Sequence, residues 1–451
     1  MVGVIVRRGK AIGGGRQWQL WHYCHSITTK AYSQNCLRGG GGAVMSFGDG
    51  SHGALGLPSS SFGLGTDAYE PTLVPALPPI ITTIAAGHYH SLAVTAEGHV
   101  WAWGRNREFQ LGRSPSSNSG RSDSWNEPGK VQGLDQVRVS GVSASGVVSA
   151  AIGDDGSLWV WGKSKRGQLG LGRGVIESPL PSRVDSLAGE HIVKVSFGWG
   201  HALACTKDGK LFGWGYSADG RLGRIGGTAS HYSTRDPSSS SLDVAERAVL
   251  EQMEKENFMP TVWEPTLVQE SHGFQVSDIA CGHDHSLVLF SGGRLISGGS
   301  NQNGQLGRPQ VTPPQCLVDM LQVEMSARPL SISAGLGHSF ATVKEAKATG
   351  ENIGIFSWGS LPGKLCLHND LPMQVKGLEG ETPLSVSGGR VHSIALTSQG
   401  RVWVWGCGNN GRLGLGSSAD EPDPIVLEYL QEFEVLQTMC GYDHSLVLVA
   451  N

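Results

Sequence analysis

One short box recurs along the chain, and it carries a histidine that could do chemistry. The box runs glycine, two variable residues, histidine, serine and an apolar residue, as in Gly87-His88-Tyr89-His90-Ser91-Leu92 and Gly441-Tyr442-Asp443-His444-Ser445-Leu446. Its six histidines are His90, His201, His285, His338, His392 and His444. Imidazole is the commonest metal-binding side chain, so a ring of bound metal is the first chemistry to weigh. One histidine per repeat at a fixed strand position, however, sets neighbours ~10 Å or more apart, beyond shared coordination. Structural hydrogen bonding inside each repeat is the expected role. No Ser-His-Asp order, paired carboxylate or phosphate-cradling loop stands out, because turns already claim every glycine-rich stretch. The sequence therefore predicts no catalytic residue, no metal and no cofactor, and a protein that is not an enzyme.

A second group of residues points to an anionic partner. Arg105 and Arg107, then Lys163, Lys165 and Arg166, follow the aromatic strands of adjacent repeats, with Arg221, Lys364 and Arg412 in comparable turns further along. Equivalent loops of a radially repeated fold leave on one rim, so the first five should form a basic patch. Phosphate contacts to RNA, or an acidic protein surface, are the partners such a patch would meet.

The elements that position these residues are repeats. About ten residues after each box comes an aromatic strand ending in glycine: Val100-Trp101-Ala102-Trp103-Gly104, Leu158-Trp159-Val160-Trp161-Gly162, Val402-Trp403-Val404-Trp405-Gly406, and a weaker version ending at Gly215. Box and aromatic strand are joined by Glu97-Gly98, Asp155-Gly156, Asp208-Gly209, Gly292-Gly293 or Gln399-Gly400, each read as a two-residue antiparallel hairpin. A Gln-Leu-Gly or Arg-Leu-Gly turn follows, then one more short strand, giving four strands per unit. A degenerate box reads Gly146-Val147-Val148-Ser149-Ala150-Ala151. Seven strand-ending glycines, from Gly48 to Gly406, are separated by 56, 58, 53, 84, 60 and 47 residues. That period belongs to propeller blades rather than to solenoids. The predicted fold is all-β, a seven-bladed β-propeller of four-stranded blades. The last box has no hairpin partner after it and Val44-Met45-Ser46-Phe47-Gly48 has no box before it, so the N-terminal strand should complete the last blade and close the ring.

Composition agrees. Of 451 residues 66 are glycine and 13 tryptophan, while only 16% are charged, which favours turns and strands over long charged helices. Apolar runs fall short of the ~20 residues of a membrane span, so no membrane insertion is expected. The eight cysteines form no CxxC pair, and a reducing compartment suits them. Residues 1–44 hold Arg7, Arg8, Lys10, Arg16, Lys30 and Arg38 with no acid, so the net charge of −4 conceals an excess of ten acidic residues in the remainder. A basic, hydroxyl-bearing leader without a long apolar run resembles a mitochondrial transit peptide, leaving residues 45–451 for the propeller. The long interval at about 225–262 reads as a serine-rich linker and a helix, with Asp243 and Glu246 as a capping box and Ala245, Val249 and Met253 on one stripe.

Box, hairpin and Gln-Leu-Gly turn together resemble the regulator-of-chromosome-condensation repeat family, seven-bladed propellers that include the nuclear exchange factor for the Ran GTPase and the plant UV-B photoreceptor. Photoreception in that family uses tryptophans clustered in the boxes. Here the slot holds Trp199 alone, with His88, His283, Leu336, Arg390 and Tyr442 in the sister boxes. Exchange would need a wedge-like insertion with acidic and histidine contacts, and 225–262 does not resemble that wedge. The chain looks most like the plant mitochondrial branch. That likeness implies a non-catalytic scaffold for protein, organelle RNA or a ribonucleoprotein, supporting intron splicing and complex I biogenesis. The alternative it leaves is a guanine-nucleotide exchange factor, nuclear or cytosolic.

Overall fold

The computed structural model describes residues 42–58, 66–114, 125–225, 260–309, 319–347, 350–360 and 368–450. They form seven four-stranded antiparallel sheets. Blade 1 contains Ile81–Ala86, His90–Thr95, Val100–Gly104 and Gly129–Lys130, in that order from the inside outwards. Blades 2 to 6 repeat this order, and their innermost strands lie against one another around the axis. In blade 7, Val435–Cys440 and His444–Ala450 are joined by Gly42–Gly48 and Ala68–Leu73. Gly42 to Gly48 pairs in unbroken register with Ala450 to His444, so two N-terminal strands, not one, complete the last blade. The proposed helix at 225–262 falls almost wholly outside the described residues, as do residues 1–41 of the leader; residues 42–44, read as leader, instead open the strand Gly42–Gly48, so the propeller starts at residue 42 rather than 45.

Local chemistry explains each layer. The second strands are buried on both faces, which is why His-Ser-Leu-Ala-Val-Thr in blade 1 lacks polar alternation. In the third strands alternation returns: Trp103, Trp161 and Trp405 are buried between blades, whereas Trp101, Trp159 and Trp403 are half-buried. Blade cores are shared, so Leu92, Val94 and Val100 of blade 1 pack with Val139, Ala151 and Trp161 of blade 2. The outermost strands carry Pro71, Pro179, Pro181, Pro265, Pro372, Pro422 and Pro424. Proline offers no N–H, and it blunts an edge that would otherwise recruit another strand.

Two sequence readings are corrected. The hairpins hold three residues rather than two: Gly98 N–H donates to Thr95 O at 2.9 Å and Thr95 N–H to His99 O at 2.9 Å. Only the glycine takes positive φ, at 85°, giving a type I turn with a bulge in place of a primed turn. The degenerate box shifts by one residue. Val148 pairs with Gly162 as His90 pairs with Gly104, so Ser145 fills the box-glycine slot and Val148 the histidine slot. The strand-ending glycines Gly104, Gly162, Gly215 and Gly406 all have positive φ. At Gly104 a Cβ would lie 2.5 Å from Tyr89 O and 2.8 Å from His90 Cα, against the box of the same blade.

Candidate binding face

Because strands alternate in direction, the box turns and the connections after the third strands leave the sheets at one end. Neighbouring boxes are stitched there by backbone bonds, including Tyr442 N–H to Gly87 O (3.2 Å), His88 N–H to Ser145 O (3.0 Å), Trp199 N–H to His283 O (3.0 Å) and Arg390 N–H to Tyr442 O (3.0 Å). The variable second and third box residues are thereby held around the mouth of the ring.

The box histidines work between blades, not inside them. Nε2 of His444, His90, His201, His285 and His392 lies 2.7–3.1 Å from Oγ of Ser91, Ser149, Ser286, Ser339 and Ser445 of the following blade. Ser91, Ser149, Ser339 and Ser445 each donate their single hydroxyl hydrogen to a backbone carbonyl, of Ala54, Gln110, Gln305 and Arg412. The histidine must then be the donor, which assigns the Nε2–H tautomer. In the seam between blades 2 and 3 both slots are apolar, Val148 facing the place of Ala202. Losing both partners together leaves no orphaned polar group.

Burial pushes the box imidazoles below their usual value of 6.5: His90 and His285 to about 3, His338 and His444 to about 4, and His201 and His392 well below it. These rings fold neutral, so their contribution is complete above the unfolded value and is lost as pH falls from 6.5 towards 4, where the unfolded chain binds more protons. The expected outcome is a melting temperature that drops steeply with acidification across that window. A flat profile from pH 6.5 to 4 would contradict it.

The five cations meet different fates. Arg105 bonds Glu108 at 2.7 Å with its guanidinium 5.4 Å from the Tyr89 ring centroid, and Lys163 bonds Glu177 at 2.6 Å. Arg166 lies 3.3 Å from the centroid of the Trp199 ring, whose other neighbour is His283 at 5.1 Å, nearly parallel. Arg107 and Lys165 are exposed and make no ion pair among the described residues. Arg221 and Arg412 do not join the surface patch. Each is 3% exposed, bonded to Asp284 at 2.7 Å and to Asp443 at 2.5 Å in the next blade. Lys364 lies outside the described residues.

Residue type in one blade is matched by the next. Where the turn carries Gln110, Gln168 or Gln305, the third box residue that follows is Val147, Gly200 or Gly337; where it carries Arg221 or Arg412, that residue is Asp284 or Asp443. Asp284 is held below the carboxylate range by His283 and Arg221 despite its partial burial, and His283 Nδ1 lies 2.6 Å from its Oδ2. Sequence reasoning tested the variable box slots only for a tryptophan cluster and missed the belt they form. His88 and Tyr89 lie 4.8 and 5.6 Å from Tyr442, and Arg390 sits 5.0 Å over Tyr442. The signal available was that these two slots vary in chemical type from box to box, whereas the histidine and serine slots change only at Val148 and Ala202.

The RCC1-like domain matches residues 43–447. The chain belongs to the RCC1-like family. This RCC1-like chain is 29% identical to the ultraviolet-B receptor UVR8 of Arabidopsis thaliana over 90% of its own length and 69% of the receptor's. It is 25% identical to the mitochondrial RCC1 domain-containing protein RUG3 of the same plant, over 91% and 73% of the two chains. Yeast RCC1 (Prp20), in its structure bound to Kap60, shares the fold at a TM-score of 0.73 and 22% identity, covering 100% of this chain and 97% of that one. Among the described residues, no helix is long and apolar enough to cross a membrane.

Proposed function

We propose that this RCC1-like propeller is a non-catalytic scaffold that docks an acidic protein surface or organelle RNA on its mouth face, in mitochondria, in support of intron splicing and complex I biogenesis. The observation that carries the reading is the collection of Arg105, Arg107, Lys163, Lys165 and Arg166 at one end of an otherwise acidic body, beside stacked aromatic side chains. Arginine, tyrosine and tryptophan together are the residues that anchor interfaces. The basic leader and the likeness to mitochondrial RUG3 support the compartment.

The test is a fluorescent reporter at the carboxyl end, with and without residues 1–41, a truncation that spares the ring-closing strand Gly42–Gly48, followed by fractionation and sizing. Mitochondrial signal and a shortened product, both lost on truncation, are expected; nuclear or cytosolic signal from the full chain would remove the compartment and the splicing role with it. Nucleotide exchange on a small GTPase is the second reading. It is favoured by the acid and histidine pair Asp284 and His283, with Asp443, on the same face. Catalytic acceleration of labelled nucleotide release would select it, and recovery of a stable complex without acceleration would reject it.

A further inference from the structure

We infer that the ring opens first at the seam between blades 5 and 6. Five seams are closed by a histidine–serine bond, and the seam between blades 2 and 3 has apolar residues in both slots. The remaining seam has the polar residues without the bond. Among the described residues, neither ring nitrogen of His338 nor Oγ of Ser393 has a hydrogen-bond partner, although the two residues are 1% and 0% exposed.

Among the described residues, a second clamp joins four of the seven seams. The indole N–H groups of Trp103, Trp161, Trp214 and Trp358 donate to carbonyls of Ala54, Gln110, Gln168 and Gln305 in the preceding blade at 2.7–3.0 Å. Blades 4 and 7 carry Gly298 and Phe47 in that position, and for Trp405 of blade 6 the turn that would supply the acceptor, 361–367, lies outside the described residues. The sequence after Gly359, Ser360-Leu361-Pro362-Gly363-Lys364-Leu365, contains no Gln-Leu-Gly or Arg-Leu-Gly.

Attractions that do not depend on direction still close this seam. Phe340 meets Trp405 edge to face at 6.0 Å, with Ile355, Leu378, Val386 and Ala395 around them, and Leu336 N–H bonds Gly389 O at 3.0 Å. Nδ1 of His90, His201, His285 and His392 is likewise without a partner among the described residues, but there Nε2 and the serine Oγ hold each other. Opening would let water satisfy His338 Nε2 and Ser393 Oγ, so separation costs less here than at the bonded seams. Local openings of this kind govern amide exchange below global unfolding.

Hydrogen exchange of the full chain, read by mass spectrometry, tests the inference. The strands Pro383–Gly388 and His338–Val343 should exchange about tenfold faster than the corresponding strands of blades 4 and 7. The double variant His338→Val/Ser393→Ala, which copies Val148 and Ala202, should slow that exchange and raise the melting temperature. Equal exchange at all seams in the unaltered chain would overturn the inference. So would a double variant that exchanges faster or melts lower.

Discussion

Replacing Arg105, Arg107, Lys163, Lys165 and Arg166 together by glutamate should abolish partner association while leaving the propeller folded. The five do not weigh equally. Arg107 and Lys165 are exposed and have no ion pair among the described residues, so a partner's carboxylates or phosphates meet them without displacing anything. Arg105 and Lys163 are already matched by Glu108 and Glu177, and part of their attraction is cancelled before a partner arrives. Arg166 acts through packing as much as charge: removing it uncovers Trp199 and forfeits a cation–π contact of roughly 0.5–2 kcal/mol. Turning five attractive contacts into repulsive ones should weaken a complex by several kcal/mol, on the order of a thousandfold or more. Co-purification from mitochondrial extract, with and without nuclease, reads the result and separates RNA from protein. The pair Arg107→Glu/Lys165→Glu should account for most of the loss. Unchanged recovery of the partner with all five reversed would remove the basic rim from the proposal.

Arg412→Ala is expected to give the largest loss of stability of any single change on that face. The guanidinium is 3% exposed, bonds Asn409 O through Nε at 2.7 Å, and meets Asp443, itself 13% exposed. Arg390 also bonds Asp443, at 2.9 Å, but is more exposed and cannot fill the space that Arg412 leaves. Breaking a buried pair from one side costs about 3–5 kcal/mol when the remaining charge is left alone, and with Arg390 still on Asp443 the lower end of that range is expected. Chemical denaturation would measure it. The matched variant Arg412→Gln/Asp443→Gly should recover much of the loss, because it recreates the pairing of Gln305 with Gly337 two seams away. A single-variant cost below about 1 kcal/mol, the range of exposed ion pairs, would show that the pair is not buried in solution.

Much of this architecture is legible in the chain because its information is local. Val100 to Gly104 alternates, Glu97-Gly98 turns, and the seven strand-ending glycines mark the blades. The candidate site was read less completely. Arg221 and Arg412 look like Arg105 in sequence, each standing in a turn after an aromatic strand, yet two are buried and one is not. What separates them is an aspartate in the next blade's box, 63 residues beyond Arg221 and 31 beyond Arg412. The box histidines look from the sequence as if they bond within a blade for the same reason, since nothing local to His90 names Ser149, 59 residues away, as its partner.

From the sequence alone follow the all-β class, the seven blades, the order of strands in each and the closure of the ring by the N-terminal strand. Periodicity and turn chemistry act over a few residues, and repetition removes the ambiguity that a single copy would leave. Only the tertiary structure decides which blade each histidine bonds, which arginines stay at the surface and which seam keeps its histidine and serine unbonded. Those outcomes depend on side chains brought face to face by radial packing, such as His444 and Ser91, 353 residues apart along the chain and 3.0 Å apart in space.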